Sequence, residues 1–197
     1  GIGSFNDRVR DAVRGGGPFD SGSSMVSNQG FVSGLCYDNN DGTACSAVQL
    51  GSLKSAQNLI RLGLAGNLKD YSLNGVLGSA YTYGGQSAGY TQDPTENVVY
   101  ASVHDNETLF DTSQYKHPLA TSHADRARAQ VVGLSLIALS QGVAFFHAGD
   151  DLLRSKSMDS NSYNSGDYFN RIFWDGAANN FGVGAPPACQ RPGDHRQ

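Results

Sequence analysis

The sequence predicts an α/β chain built from parallel strand–helix–strand units, and three observations carry that expectation. Residues 98–103 are rich in valine and then change abruptly to the polar run His104-Asp105-Asn106-Glu107, the pattern of a buried strand that ends in a reactive surface. A second apolar run, 143–148, leads in the same way into Gly149-Asp150. Between them Ser122-His123-Ala124-Asp125 has the form of a capping box that opens a helix reaching about Gln141, and strand, helix, strand in alternation favours parallel pairing. In such sheets the loops after the carboxyl ends of the strands converge on one pocket, so Asp105 and Asp150 are expected to aim their carboxylates at the same face.

The remaining elements follow in order. Residues 2–5 predict a short strand, and 6–14 a turn of helix broken by Gly15-Gly16-Gly17-Pro18, which cannot continue it. From 19 to 51 the chain is dominated by Gly, Ser, Asn and Asp, a loop so long that it is either functional or mobile. Ser52 is placed to cap a helix running to about Leu64, with Leu53, Ala56, Leu59, Ile60 and Leu64 at helical spacing. Residues 75–92 are read as a loop whose Tyr81, Tyr83 and Tyr90 are either sugar-stacking platforms or rings half buried under it. Residues 131–139 are apolar nearly all round, which predicts a helix packed on two sides.

Composition narrows the function classes. A chain of 197 residues with 39% hydrophobic content supports one substantial core. A net charge of −4 and a pI near 5.6 argue against binding nucleic acid, which normally requires a basic face. The one basic cluster, Arg8, Arg10 and Arg14, is interleaved with Asp7 and Asp11 and is expected to be ion-paired. No apolar run approaches the roughly 18 residues of a membrane span. Cys36, Cys45 and Cys189 lack metal-site spacing. Cys36 and Cys45 bracket a loop that a disulfide would close, and free thiols in a reducing compartment are the expectation.

Four ordered blocks carry a family resemblance. They are Gly3-Ser4-Phe5-Asn6-Asp7-Arg8 with Arg10-Asp11, then His104-Asp105-Asn106-Glu107-Thr108-Leu109, then Phe145-Phe146-His147-Ala148-Gly149-Asp150 running on to Leu153-Arg154-Ser155-Lys156. The fourth is Ser162-Tyr163-Asn164-Ser165-Gly166-Asp167 within residues 159–171. Together they resemble the α-amylase superfamily (glycoside hydrolase family thirteen), and within it the starch-debranching enzymes of pullulanase and limit-dextrinase type, closest in wording to plant and algal limit dextrinases. The resemblance implies the C-terminal portion of a (β/α)8 TIM barrel with long loops over residues 1–187, with 188–197 an unassigned tail. A whole barrel takes about 250 residues, so the chain is expected to be a piece of one, in keeping with a start at Gly1 rather than Met.

The resemblance also implies residue roles. A retaining glycosidase uses one carboxylate as nucleophile and another as acid. In this superfamily a third holds the hydroxyls of the distorted sugar, and Asp105 matches it. His104 is its substrate-binding partner, Asn106 adds a neutral hydrogen bond, and Asp167 and Arg171 bind sugar one unit further from the scissile bond. The last two residues, four apart, also suit a surface ion pair. Arg154 and Lys156 are assigned to structure, whereas Asn6, Asp7 and Arg8 suit either the cleft or an internal ion pair. The nucleophile's Gly-x-Arg-x-Asp motif does not occur, and Glu96 and Glu107, the only glutamates, flank the third carboxylate, so no acid is available either. The chain also departs from the family pattern at Asp151 (Glu usual), Tyr168 and Phe181 (Trp usual) and Phe173 (Asp usual).

The function implied is cleavage of α-1,6-glucosidic linkages in pullulan, amylopectin or limit dextrins, with an α-glucan as partner. The chemistry requires no cofactor, the sequence is silent on calcium and on oligomeric state, and a plastid location follows from the plant-like wording. Two other readings compete with this one. One is a non-catalytic glucan-binding or regulatory remnant. The other takes His104-Asp105 as a phosphohydrolase metal pair, which the strand-end position and the absence of ligand spacing among the other histidines disfavour.

Overall fold

The computed structural model describes residues 3–184, and the 188–197 tail and Cys189 lie outside them. Three strands, β1 (Ser4–Phe5), β6 (Asn97–Val99) and β7 (Val143–Ala144), form a parallel sheet in the order β1-β6-β7. Ser4 is in register with Asn97, and Val98 with Val143. Helices α1 (Asp7–Arg14), α2 (Ser23–Ser27) and α3 (Ala47–Leu64) fill the connection from β1 to β6. Two hairpins follow α3, pairing β2 (Ser72–Leu73) with β3 (Val76–Leu77) and β4 (Thr82–Tyr83) with β5 (Gln86–Ser87). Helices α4 (Leu109–Lys116) and α5 (His123–Ala138) carry the chain from β6 to β7, and α6 (Asp167–Asn170) lies beyond. The expected α/β class is therefore present as a helix-covered parallel sheet, with strands shorter than the apolar runs that predict them.

Each principal helix begins at a side-chain cap. Asn6 accepts from the Val9 amide, Thr108 from Asp111 and Ser122 from Asp125. Helix α3 begins six residues before the expected Ser52. Ser46 and Gln49 form a reciprocal capping box, and the helix tolerates Gly51 in its second turn. The core joins Val9, Val13 and Val32 to Ala56 and Ile60 of α3, Val99 of the sheet, Leu109 of α4 and Ile137 of α5. Helices α1 and α3 approach closely at Gly63, where a Cβ would fall 2.1 Å from Val9 Cγ2. Gly15, at φ +90°, turns the chain off α1 against the backbone of Gly30.

Several expectations change here. Helix α5 is not packed on two sides: Ile137 is fully buried, but Val131, Val132 and Leu139 are exposed. The long 19–51 segment is held by its own polar residues. Buried Gln29 donates to the carbonyls of Ser33 and Asp38, and buried Asn39 to Thr43 O and Gln49 Oε1. Cys36 and Cys45 form a disulfide rather than free thiols. Asn39 Oδ1 also accepts from the Cys36 amide, so one side chain ties both arms of the turn and brings the two Cα atoms to 4.6 Å. The segment read as a loop at 75–92 holds most of the two hairpins, turning at Asn74-Gly75 and Gly84-Gly85. Positive φ at all four turn residues suits the twist of two-residue hairpins.

Candidate active site

The site begins where β6 ends. Residues 100–103 continue from the strand beneath the surface, with Tyr100, Ala101 and Ser102 buried, and the chain then turns outward at His104 and Asp105. Asn106 adopts φ +61°, a left-handed conformation that asparagine tolerates, and reverses the chain into buried Glu107 and the Thr108 cap of α4. His104 Nδ1 lies 3.2 Å from Asp105 Oδ1, with 86% and 71% of the two side chains exposed.

Asp105 stands between two hollows. One, of about 230 Å³, is lined by His104, His147, Arg154, Lys156, Asn161 and Tyr163 as well as Asp105. The other, of about 490 Å³, is lined by Asp105, Asn106 and Glu107 together with Arg14, Tyr115 and Lys116. The walls are polar and carry both charge signs, and the 82%-exposed ring of Tyr163 flanks the smaller hollow. A carboxylate projecting between such hollows has both oxygens placed as hydrogen-bond acceptors for a ligand in either one.

Buried groups fix this turn from behind. Lys156, 1% exposed, donates from Nζ to the His104 carbonyl at 2.9 Å. Asp111 of α4 accepts from the Lys156 amide at 2.8 Å and from the Ser155 hydroxyl. Burial raises the Asp111 pKa and lowers that of Lys156, each partly opposed by these neighbours. The assignment of Lys156 to structure therefore agrees with its surroundings, and its target is the backbone of His104. Arg14 donates to Thr112 Oγ1 at 2.7 Å and lies 4.0 Å from Glu107, bracing the start of α4.

Asp150 does not share the face of Asp105. It is 1% exposed, accepts from Ser102 Oγ at 2.7 Å, and is pushed up to about 6 by burial. His147 lies beside it, with Nδ1 3.8 Å from Asp150 Oδ1 and Nε2 3.0 Å from Arg154 Nη1. Burial and then the charge of Arg154 push His147 down to about 4. The two strand-end aspartates thus have opposite surroundings, one in the cleft and one in the floor.

The other candidates are dispersed. Asp167 opens α6 and Arg171 ends it, with the Arg171 guanidinium 4.4 Å over the Phe173 ring. Neither lines a hollow that contains Asp105, and no ion pair joins them among the described residues. The basic cluster is paired in part as expected: Arg10 bridges Asp7 and Asp11. Arg8 instead donates to Ser87 O and lies over the Tyr83 and Tyr90 rings, while Asn6 is buried against Asn67. Tyr81 and Tyr83 are engaged through their hydroxyls, by Leu73 O and Asp11, so these tyrosines pack in place. No three His, Cys, Asp or Glu residues gather as a metal site among the described residues, and no helix there is long and apolar enough to cross a membrane.

Fold and site together define a segment of an α/β protein whose central strand delivers an exposed carboxylate to a polar cleft. Comparison with known proteins gives its relatives. The chain is 48% identical over 194 residues to the chloroplastic pullulanase 1 of Arabidopsis thaliana, covering 95% of this chain and 20% of that one. It is 48% identical over 191 residues to the pullulanase of Klebsiella aerogenes, covering 94% and 17%. Among solved structures, the maltotriose complex of Klebsiella pneumoniae pullulanase superposes with a TM-score of 0.91 at 46% identity, over 98% of this chain and 18% of that one. No protein-family profile matches. The chain is thus a homologue of pullulanases over nearly its whole length, and it spans about a fifth of theirs. The plant-like wording is matched equally by bacterial relatives.

Proposed function

We propose that this chain is part of a retaining starch-debranching glycoside hydrolase that cleaves α-1,6-glucosidic linkages, and that it supplies the C-terminal portion of a (β/α)8 barrel. The observation that carries the reading is Asp105, exposed at a strand end beside His104, in a chain so similar to pullulanases from end to end. A parallel sheet whose outer strands β1 and β7 have no further neighbour among the described residues is in keeping with a barrel segment. Maltotriose bound by the Klebsiella pneumoniae relative favours an α-glucan as ligand here too.

In this reading Asp105 is the third carboxylate. It accepts hydrogen bonds from hydroxyls of the sugar next to the scissile bond. Those hydroxyls become more acidic as positive charge grows at the anomeric carbon, so the bonds strengthen in the transition state more than in the ground state. His104 orients the carboxylate through Nδ1 and meets the same sugar through Nε2. Asn106 adds a neutral bond, and Asp167 and Arg171 reach sugar further along the chain. The nucleophile, which attacks the anomeric carbon, and the acid, which protonates the departing oxygen, belong to residues upstream of this chain.

The coding sequence upstream of Gly1 tests this. A strand bearing Gly-x-Arg-x-Asp and a later strand ending in Glu, together with pullulan hydrolysis by the complete protein, are expected. An initiation codon immediately before Gly1 would contradict the proposal and leave glucan binding as the activity to measure. A plastid address in the same upstream sequence would separate the chloroplast setting of the Arabidopsis relative from a bacterial one.

A further inference from the structure

We propose, on the debranching reading, that Asn106 is a positioning residue for the reaction and acts through its backbone: its left-handed conformation is what presents Asp105 to the cleft. At φ +61° Asn106 stands between Asp105, whose side chain is 71% exposed, and the buried residues Glu107 and Thr108. A negative φ there would send the chain away from the Thr108 cap instead of reversing it into α4. Side chains with a Cβ disfavour the left-handed region. Asparagine is among the few that visit it, and glycine does so without steric cost.

Both sides of the turn are anchored. Upstream, the His104 carbonyl accepts from Lys156 Nζ at 2.9 Å. Downstream, Thr108 is fully buried and accepts from the Asp111 amide at 3.0 Å. The segment that carries Lys156 is itself held in an unusual conformation, with Leu153, Ser157 and Met158 at φ +57°, +54° and +67°. Asp111 pins it by accepting from the Ser155 hydroxyl and from the Lys156 and Met158 amides. Left-handed residues other than glycine persist where their surroundings over-determine them, and here they gather around one turn and its support. Between the anchors only Asp105 and Asn106 are free to move, so a change of φ at 106 is taken up by the peptide that carries Asp105.

The consequence is kinetic. Asp105 acts more strongly in the transition state than in the ground state, so bound substrate does not draw a misturned loop back into place. The loss therefore falls on kcat. The neutral bond from the Asn106 side chain contributes to ground-state binding, and its loss falls on KM.

The test compares Asn106→Ala with Asn106→Gly in the complete protein, measuring kcat and KM on pullulan together with thermal melts. Both variants lose the side-chain bond and should raise KM alike. Only alanine opposes the left-handed turn, so its kcat is expected to be about tenfold below that of the glycine variant. Equal kcat values in the two variants would overturn the proposal, whether both fall or neither does. A lower melt for Asn106→Ala with the kcat of Asn106→Gly would overturn it as well, because the strain would then act on stability alone. A parent protein that does not hydrolyse pullulan would sink the debranching reading and this role with it, an outcome recognised from the parent before any variant is compared.

Discussion

Asp150 and His147 lie side by side, His147 in the wall of the smaller hollow and Asp150 buried against Ser102, and their titrations oppose each other. Asp150 is raised from 3.8 to about 6, so its burial contributes stability fully below pH 4 that is lost as pH rises through 6. His147 is lowered from 6.5 to about 4, so its contribution is present above pH 6.5 and is lost as pH falls toward 4. The native protein should therefore show a shallow pH dependence between 4 and 6. Thermal melts of Asp150→Asn should gain stability with rising pH across that window, and those of His147→Gln should lose it; parallel slopes in the two variants would contradict the assignment. Lys156→Met should cost about 3 kcal/mol in denaturant unfolding, because it leaves the His104 carbonyl and the surrounding carboxylates without their cation. His104 and Asp105 were legible because a polar run after a β-rich run announces a strand end. Sequence could not separate Asp105 from Asp150, because exposure depends on Ser102 and His147, which meet Asp150 only in the folded chain.

Helix α3 shows how local chemistry sets an element's boundary. Ser46→Ala should destabilise by about 1 kcal/mol through loss of the capping box, whereas Ser52→Ala, inside the helix, should change little; urea midpoints of the two variants decide this. The disulfide lies just before that cap and closes a loop with a sequence separation of 9. Reduction should lower stability by about 2–3 kcal/mol, read as a fall in Tm on adding a thiol, with no change in a Cys36→Ser, Cys45→Ser double variant. Apolar spacing located α3 but not its start, and the Ser122 cap located α5, whereas α2 and α4, short and without an apolar stripe, had no such signal. The hairpins had a signal too, since Asn74-Gly75 and Gly84-Gly85 are hairpin turn pairs. Strands of two residues give no alternation by which to find them. The disulfide was open in the sequence as one of two states, and the argument from compartment chose the other; the Asn39 bonds that close its turn are local, spanning three and four residues.

At the scale of the whole molecule, the sheet is open at β1 and β7 among the described residues. Phe5, Val143, Phe145 and Phe146 are each more than 40% exposed, and Phe5 stacks edge-on against both Tyr100 and Phe145. Exposed parallel edges beside an aromatic patch favour association. The 197-residue chain expressed alone should self-associate in light scattering, and the same residues within the complete protein should not. The most direct test of the central claim is Asp105→Asn in that complete protein, assayed on pullulan with circular dichroism as a check on folding. Loss of turnover by about a thousandfold with an unchanged spectrum and melt is the predicted result, since in the proposed role the removed charge acts in the transition state. Turnover within a few-fold of the parent would contradict the role of Asp105.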